Sequence, residues 1–331
     1  MKTIKNNRLK FQKTIFVTGG AGFIGSAYLN KYVPIYKHYR FVNIDCLTYA
    51  GDKRNITVSH CLNYLFEKVN IGDVKKLEKL FIKYKPTDII HFAAESHVDA
   101  SIKNQNIFIN TNILGTYNLL TLARKYGVNR FHMISTDEVY GSLGRDDASF
   151  TEASLLAPNN PYSASKASAE FMVRAYNKTF GLNTVITRSS NNYGPNQDTT
   201  KFIPLFINNL LAGKKLPLYG SGENIRNWLY VEDNISAIDL VFHKAGGGSI
   251  YNISGNCELT NINVTKKLIA LAGKTEKEIQ HVEDRIGHDF RYALNSSKIK
   301  QDLCWQPKIN FDAGIRKTFL FYKKHNKKYG K

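Results

Sequence analysis

A glycine-rich turn near the N-terminus constrains the fold more than any other part of the sequence. The β-branched run Thr14–Thr18 leads into Gly19-Gly20-Ala21-Gly22-Phe23-Ile24-Gly25, and a helical stretch follows. The segment satisfies both the G-x-G-x-x-G and the G-x-x-G-x-x-G spacing, and it stands between a predicted strand and a predicted helix. Such a turn brings a pyrophosphate to the N-terminus of a helix. We therefore expect a dinucleotide to bind at this turn.

Asp45 indicates which dinucleotide to expect. It closes the next predicted strand, twenty residues after Gly25. A carboxylate in that place accepts hydrogen bonds from both ribose hydroxyls and repels a 2′-phosphate, so it selects NAD over NADP. Asp73, after the third predicted strand, has two interpretations: it reaches the adenine, or it only caps the helix that follows.

The first 188 residues alternate short β-branched or aromatic runs with longer amphipathic stretches, the pattern of a parallel sheet with helices on both faces. The predicted strands are Thr14–Thr18, Phe41–Asp45, Tyr64–Val69, Asp88–Ala93, Phe131–Ser135 and Thr184–Arg188. The predicted helices are one that starts after Phe23 and stops near Pro34, and those over Asp73–Tyr84, Phe108–Tyr126 and Pro161–Phe180. The sequence thus predicts an α/β chain with a Rossmann-type doubly wound parallel sheet.

The regular alternation ends after Arg188, where prolines at 195, 204 and 217 and several glycines interrupt it. We expect residues 1–188 to form the NAD-binding domain, with 1–13 as a leader, and residues 189–331 to form a smaller, mixed C-terminal substrate lobe. Within that lobe Trp228–Val231 and Ser249–Ile253 have strand patterns. The chain over about 228–253 is therefore expected to return to the main sheet.

Composition excludes several classes of protein. The chain has 331 residues, of which 43% are hydrophobic, enough for a sizeable core, but no apolar run reaches the ~18 residues of a membrane helix. The net charge of +19 comes mostly from lysines spread along the chain, so we expect an anionic cofactor and substrate and no nucleic acid. The four cysteines are scattered without a C-x-x-C pair. They predict neither disulfides nor a metal site and fit a reducing cytoplasm.

Tyr162 and Lys166 form the first candidate catalytic pair. They are four residues apart on one predicted helix and so share a face. The lysine charge favours the phenolate and is expected to lower the pKa of Tyr162 towards neutrality, which suits a base that takes the proton of an alcohol. The same spacing also describes many surface pairs, but the glycine-rich turn upstream favours the catalytic interpretation.

Asp137 and Glu138 form the second pair, in the run Ser135–Gly141 that ends the fifth predicted strand. Ligands of open α/β sheets bind at this carboxyl edge. In extended backbone neighbouring side chains point apart, so the two acids would reach different parts of one sugar. Close carboxylates also push their pKa values apart, which leaves one as an acid and the other as a base, as elimination of water requires. The alternative is that both pair with Lys or Arg on the surface.

Together, Thr18–Gly25, Ser135–Gly141 and Tyr162–Lys166 resemble the dTDP-glucose 4,6-dehydratase family of the extended short-chain dehydrogenase/reductase superfamily. Further segments that resemble the family are Asp45–Gly51, Ala93–Asp99, Asn191–Pro195 and Asp284–Asp289. The Thr-Asp-Glu triplet is the most specific part, because related epimerases share the fold, the glycines, the tyrosine and the lysine without the paired acids.

The resemblance implies a reaction. Tyr162, activated by Lys166, takes the proton of the sugar 4-hydroxyl as hydride passes from C4 to NAD, and Thr136 holds that oxygen. Glu138 then removes the C5 proton while Asp137 protonates the leaving C6 hydroxyl, and the hydride returns to C6. The implied cofactor-binding residues are Gly19, Gly22, Phe23, Ile24, Gly25, Asp45, Thr48, Asp73, Val74, Ala93, Ala94, Thr111, Tyr162, Lys166 and Asn192. The implied substrate-binding residues are Ser96, Thr136, Asn191, Lys201, Tyr219, Arg226, Asn261, Arg291 and Tyr292.

The chain departs from the family pattern where Thr200 replaces a glutamate, Asn227 an aspartate and Phe290 an arginine. These positions lie in the half expected to hold the nucleotide-sugar, so the sequence does not decide whether the base of the substrate is thymine or uracil. We expect dehydration of a nucleotide-linked glucose, dTDP-glucose first, in rhamnose-type deoxysugar biosynthesis. UDP-glucose 4,6-dehydration, 4-epimerisation and a non-catalytic NAD-binding role are the alternatives. The family also implies a homodimer through the Phe108–Tyr126 and Pro161–Phe180 helices, whose apolar faces equally suit a core.

Overall fold

The computed structural model describes residues 11–284 and 287–325, so most of the expected leader lies outside the described residues. The strands are β1 Lys13–Thr18, β2 Tyr39–Ile44, β3 Tyr64–Glu67, β4 Asp88–His91, β5 Arg130–Thr136, β6 Thr184–Ser189, β7 Asn191–Tyr193, β8 Leu216–Tyr219, β9 Ile225–Tyr230, β10 Ile250–Ile253, β11 Glu258–Thr260 and β12 Ile279–Val282. The α-helices are α1 Phe23–Ile35, α2 Val74–Tyr84, α3 Val98–Lys103, α4 Gln105–Phe108, α5 Gly115–Lys125, α6 Pro161–Phe180, α7 Phe202–Leu211, α8 Val231–Lys244, α9 Asn261–Leu271, α10 Ser297–Leu303 and α11 Phe311–Lys324.

The main sheet has seven strands in the order β10-β6-β5-β4-β1-β2-β3, and each neighbouring pair is parallel. The six strands predicted before residue 190 all belong to it, which confirms the doubly wound α/β fold. β1 lies between β2 and β4, where the strand order reverses. The crevice at the carboxyl ends of these strands is where such folds bind ligands.

Strand β1 shows why helices cover both faces. Ile15 and Val17 point to one face, where they belong to the same core as Tyr28 of α1 and the apolar side of α8. Phe16 points to the other face and packs against Phe81 of α2, with α5 and α6 in the same core. All three β1 side chains are fully buried, as the strands of a two-sided parallel sheet require.

The chain after β6 builds two smaller sheets. β9 pairs with β7 in parallel and with β11 in antiparallel fashion, while β8 and β12 form a parallel pair. The expectation that Trp228–Val231 returns to the main sheet was therefore wrong. Trp228 and Tyr230 of β9 instead fill the core of the small lobe. The return occurs through β10, which pairs with β6.

The predicted helix over Phe108–Tyr126 is interrupted. α4 ends at Phe108, a wider π-helical stretch covers Ile109–Leu114, and α5 begins at Gly115. In that stretch the buried Asn112 accepts a hydrogen bond from the Glu95 N–H (2.8 Å) and donates one to the Glu95 carbonyl (3.0 Å). The wide turn is thus tied to the loop after β4, a tertiary contact that helical periodicity does not reveal.

Two further observations concern only residues 11–284 and 287–325. No helix there has both the length and the apolar content needed to cross a bilayer. No group of three or more His, Cys, Asp or Glu side chains there is arranged to hold a metal ion.

Candidate active site

Two adjoining cavities open at the carboxyl edge of the main sheet. The first, of about 320 Å³, borders the glycine-rich turn and is called the turn cavity. The second, of about 300 Å³, lies between the main sheet and the small lobe and is called the lobe cavity. Ser96, Gln197 and Lys201 line both, and the Lys201 ammonium donates to the Ser96 carbonyl (2.7 Å). A ligand in one cavity therefore lies next to a ligand in the other.

The turn can accept a pyrophosphate because of its glycines. Gly19 has φ +71°, and a Cβ added there would lie 2.5 Å from the backbone nitrogen of Ala93. A Cβ on Gly25 would overlap the Gly19 carbonyl, so the turn and α1 pack too closely for any side chain. The N-cap of α1 is Gly22, which supplies no side-chain cap. The N–H groups of the first turn therefore remain available to an anion.

Asp45 is buried at the wall of the turn cavity. Its carboxylate accepts hydrogen bonds from the backbone N–H groups of Ala21 (2.9 Å) and Leu47 (2.8 Å), and burial raises its pKa. A carboxylate has about four acceptor positions. Asp45 can therefore hold the turn in place and still accept from a ribose hydroxyl.

Most of the predicted cofactor positions line this cavity. They are Gly19, Gly22, Phe23, Ile24, Gly25, Asp45, Thr48, Ala93, Ala94, Thr111, Tyr162 and Lys166. Sequence reasoning missed Asn70 and Ile71, which also line it and lie just beyond β3. Their place at the carboxyl end of a strand of the main sheet is the signal that could have identified them.

Three predicted cofactor positions do not line the turn cavity, and their contact with NAD stays a prediction. Asp73 caps α2: its carboxylate accepts from the Lys76 N–H (3.1 Å) and pairs with the Lys76 ammonium (2.9 Å). Val74 is the exposed first residue of α2. Asn192 lines the lobe cavity instead. The cap interpretation of Asp73 is the one that the structure supports.

Tyr162 and Lys166 lie on the buried face of α6 and line the turn cavity. The Lys166 ammonium donates to the Ile134 carbonyl (2.7 Å), and burial lowers its pKa to about 8. Burial, followed by the charge of Glu138, raises the pKa of Tyr162, while a hydrogen bond with Thr136 opposes the rise. The expectation that Lys166 lowers the pKa of Tyr162 is therefore not met in the protein chain alone, where burial is the larger effect.

Asp137 and Glu138 do not continue β5 as extended backbone. β5 ends at Thr136, and Asp137–Tyr140 form a short 3₁₀-helix. Asp137 is buried, and burial and then the nearby Glu138 raise its pKa to about 8. Glu138 lines the lobe cavity. The chain thus places a buried carboxyl group with a raised pKa next to a second carboxyl group that faces the lobe cavity.

Thr136 connects the two pairs. Its hydroxyl donates to Asp137 Oδ1 (3.2 Å) and accepts from the Glu138 N–H (3.3 Å). The same side chain hydrogen-bonds to Tyr162. Thr136 lines neither cavity, so it lies between the two candidate pairs and not on a cavity wall.

The lobe cavity collects most of the predicted substrate positions. They are Ser96, Asn191, Lys201, Tyr219, Arg226, Asn261 and Tyr292. The Arg226 guanidinium lies over the Tyr292 ring, 4.5 Å from its centroid, and donates to the carbonyls of Phe290 (3.2 Å) and Asp289 (3.0 Å). These contacts hold a buried cation where a diphosphate can reach it.

Arg291 was predicted to bind substrate, but in the structure its guanidinium is bonded to other groups of the protein. Its guanidinium pairs with both carboxylate oxygens of Glu258 (2.6 and 3.1 Å) and donates to the carbonyls of Gly144 (3.3 Å) and Asp147 (2.7 Å). Arg291 does not line the lobe cavity. These contacts join β11 to the loop after the 3₁₀-helix, so substrate binding by Arg291 stays a prediction.

Only one of the three departures from the family pattern lies in the site. Thr200 lines the lobe cavity, and its N–H and hydroxyl both donate to Asp198. Asn227 accepts from the Ser254 hydroxyl (2.9 Å), and Phe290 packs under Arg145. The lobe cavity also has apolar walls that the sequence did not identify, formed by Phe202, Leu205, Phe206, Pro217, Leu218, Trp228 and Val282.

Comparisons with known proteins agree with this geometry. A family model described as GDP-mannose 4,6 dehydratase matches residues 16–318. The dTDP-glucose 4,6-dehydratase of Haemophilus influenzae is 46% identical over 329 residues, which cover 93% of this chain and 97% of that protein.

Solved structures give the same result. The Bacillus anthracis dTDP-glucose 4,6-dehydratase in complex with NAD is 46% identical, with a TM-score of 0.89 over 95% of this chain and 98% of that one. DesIV from Streptomyces venezuelae, a dTDP-glucose 4,6-dehydratase with NAD and TYD bound, is 41% identical, with a TM-score of 0.91 over 96% and 98% of the two chains.

Proposed function

The chain belongs to the dTDP-glucose 4,6-dehydratase family, and we propose from that premise that it dehydrates dTDP-glucose to the 4-keto-6-deoxy sugar with NAD as its cofactor. The observation that carries the proposal is the acid pair. Asp137 is buried with a pKa raised to about 8, and Glu138 faces the lobe cavity beside it. The product is a precursor of deoxysugars such as rhamnose.

The residues around the turn cavity fit NAD. The glycine-rich turn offers N–H groups to the pyrophosphate, and Asp45 offers its carboxylate to the adenosine ribose. When bound, NAD accepts the hydride from C4 of the sugar and returns it to C6, and its positive ring favours ionisation of the phenol. Tyr162 receives the proton of the 4-hydroxyl through its phenol oxygen. A hydrogen bond with Thr136 lowers the pKa of Tyr162, and the Thr136 hydroxyl would donate to the phenolate in place of Asp137 Oδ1.

The elimination step belongs to Asp137 and Glu138. Once C4 is a ketone, the C5 hydrogen is acidic, and Glu138 removes it as a proton from the side of the lobe cavity. Glu138 would return this proton to C5 when the hydride reaches C6. Asp137, which holds its proton at neutral pH, protonates the C6 hydroxyl as it leaves as water. The two roles differ because one carboxyl group is buried and the other faces the substrate.

A mass measurement tests the function. Purified protein incubated with dTDP-glucose and no added reductant is expected to give a product lighter by one water. Recovery of only intact substrate, or of a C4 epimer, would contradict dehydration. Replacing dTDP-glucose with UDP-glucose is expected to lower kcat/KM. Equal values would mean that the protein does not distinguish thymine from uracil in its substrate.

We also propose that the two parts of the chain divide the ligands. Residues 1–188 supply most of the turn cavity and would bind NAD, while residues 189–331 supply much of the lobe cavity and would bind the nucleotide-sugar. Free cysteines at 46, 61, 257 and 304 support a reducing, cytoplasmic location. Fractionation of the source cells is expected to find the activity in the cytosol.

A homodimer is the further part of the proposal. Large apolar side chains are exposed on or beside the two helices expected at the interface, including Leu114 and Tyr117 near the start of α5 and Phe171 on α6. Pairing α5 and α6 with their copies would bury them. Light scattering is expected to give twice the chain mass, and Tyr117→Asp with Phe171→Asp is expected to give a monomer. A wild-type monomer would contradict the dimer.

A further inference from the structure

One buried arginine, Arg188, is bonded to the two elements that carry the candidate catalytic pairs. Arg188 of β6 donates from Nε to the two carboxylate oxygens of Glu170 (3.1 and 3.0 Å) and from Nη2 to one of them (2.5 Å). Its Nη1 donates to the Tyr140 hydroxyl (2.6 Å), which in turn donates to Asn252 Oδ1 of β10 (2.8 Å). Arg188, Glu170 and Tyr140 are all buried, and none lines either cavity.

The two partners of Arg188 lie on the two catalytic elements. Glu170 is on α6, one helical turn after Lys166 and two turns after Tyr162. Tyr140 ends the 3₁₀-helix that begins with Asp137 and Glu138. We call Tyr162 and Lys166 the redox pair, and Asp137 and Glu138 the elimination pair. The guanidinium therefore directly bridges the helix that carries the redox pair and the 3₁₀-helix that carries the elimination pair.

The bridge is rigid at both ends. The Arg188–Glu170 contact uses two guanidinium nitrogens and two carboxylate oxygens, a geometry that fixes both side chains. The Tyr140 ring stacks on Phe150 with centroids 4.8 Å apart. A buried ion pair often gives no net stability over an apolar replacement, so a role in positioning is a sufficient reason for its presence.

The Glu170 charge also acts on Lys166. Burial lowers the pKa of Lys166, and the carboxylate of Glu170 opposes that decrease. The same carboxylate therefore supports the charge on Lys166 and orients the arginine that holds Tyr140.

We propose that Arg188, Glu170 and Tyr140 are positioning residues that keep the redox pair and the elimination pair in register, so that elimination follows oxidation on the same sugar. The proposal rests on the proposed dehydratase function. Oxidation uses Tyr162, Lys166 and Thr136, whereas elimination also needs Asp137 and Glu138 placed at C5 and C6 of a sugar that is already bound. Loosening the bridge at Tyr140 should therefore affect the second step more than the first.

Tyr140→Phe is the sharpest variant, because it keeps the ring against Phe150 and removes only the hydroxyl that bonds Arg188 and Asn252. Two rates separate the steps. Reduction of the cofactor by dTDP-6-deoxyglucose, which lacks the leaving hydroxyl, reports oxidation alone, and product formation from dTDP-glucose reports the full sequence. We expect dehydration to slow about tenfold and oxidation of the analogue to change less than about twofold.

Tyr126→Phe is the matched control, since its hydroxyl also bonds a carboxylate, that of Glu78 (2.9 Å), but far from both cavities. It is expected to leave both rates unchanged. Equal losses of both rates in Tyr140→Phe, or no loss, would overturn the positioning role. Thermal melting of each variant accompanies the rates, so that a loss of folded protein is recognised as such.

Glu170→Gln tests the other end of the bridge. It is expected to slow oxidation of the analogue as well as dehydration, because it releases Arg188 and removes the charge that supports Lys166. If Glu170→Gln oxidised the analogue at the wild-type rate, the claim that one arginine positions both pairs would be overturned. If wild-type protein itself makes no product from dTDP-glucose, the proposed function fails and the positioning role fails with it, a result distinct from any variant effect.

Discussion

Asp137 and Glu138 are neighbours in the chain, yet their carboxyl groups occupy different environments. Asp137 is only 2% exposed, while Glu138 lines the lobe cavity. The separation arises because the chain leaves β5 in a 3₁₀-helix, in which successive side chains are about 120° apart. Burial then keeps a proton on one acid, and contact with the substrate cavity suits the other to act as a base.

Glu138→Gln should abolish dehydration. A positioned general base contributes roughly 10²- to 10⁴-fold to a rate, so kcat should fall at least about a hundredfold, while cofactor reduction by the sugar persists. Mass analysis of the product with parallel absorbance of the reduced cofactor measures both. Glu276→Gln, at an exposed glutamate paired with Lys266 (3.2 Å), is the control that should leave turnover unchanged. Unaltered turnover in Glu138→Gln would favour epimerisation over dehydration.

Dehydration should decline as pH rises through about 8. Burial raises the pKa of Asp137 to about 8, so above that pH the acid loses the proton that the leaving hydroxyl needs. Lys166, whose pKa is lowered to about 8, contributes to the same decline. Asp137→Asn, already slow, should therefore keep only the Lys166 part of the pH dependence. A kcat profile identical in shape to the wild type would contradict the acid role of Asp137.

The same carboxyl group should make stability depend on pH. Its pKa is about 8 in the folded protein against 3.8 ordinarily, so the folded chain retains a proton that the unfolded chain loses. This contribution to the free energy of unfolding is present below pH ~4 and is lost as pH rises to ~8. Asn does not titrate, so the Tm of Asp137→Asn relative to wild type should rise as the pH increases from ~4 to ~8. A difference in Tm that does not change with pH would contradict the raised pKa of Asp137 in the folded protein.

Asp45→Ala should weaken NAD binding about tenfold or more, because hydrogen bonds to a charged group contribute roughly 1.5–3 kcal/mol each. Titration calorimetry on cofactor-free protein measures this. Asp73→Ala is the matched control: it removes a helix cap, costs about 1 kcal/mol of stability, and should leave NAD affinity unchanged. Loss of NAD affinity in Asp73→Ala would restore its predicted contact with the adenine.

Arg226→Lys should raise KM for dTDP-glucose about tenfold, since lysine lacks the bidentate geometry that suits a diphosphate. NAD affinity should stay the same, because Arg226 lines only the lobe cavity. Arg291→Lys should leave KM near its wild-type value, because that arginine pairs with Glu258 outside the cavity. Similar KM changes in both variants would contradict the assignment.

Prediction from the sequence succeeded for features that are formed by residues close together in the chain. The glycine-rich turn and Asp45 act within one βα unit, so spacing alone placed them at the turn cavity. Asp73 also follows a predicted strand, but in the structure its carboxylate caps the helix that it precedes, α2. Arg226 and Arg291 are the same type of residue, and the sequence did not separate the arginine that lines the lobe cavity from the one that pairs with Glu258.

The sequence by itself determined the doubly wound sheet and the glycine-rich turn and predicted the two candidate catalytic pairs, because alternation, glycine spacing and motif are properties of contiguous residues. Only the tertiary structure decided that Asp137 is buried while Glu138 faces the lobe cavity, that Trp228 belongs to the small lobe, and that Arg188 joins α6 to the 3₁₀-helix. Burial and charge pairing depend on residues far apart in the chain, and the fold alone sets their distances.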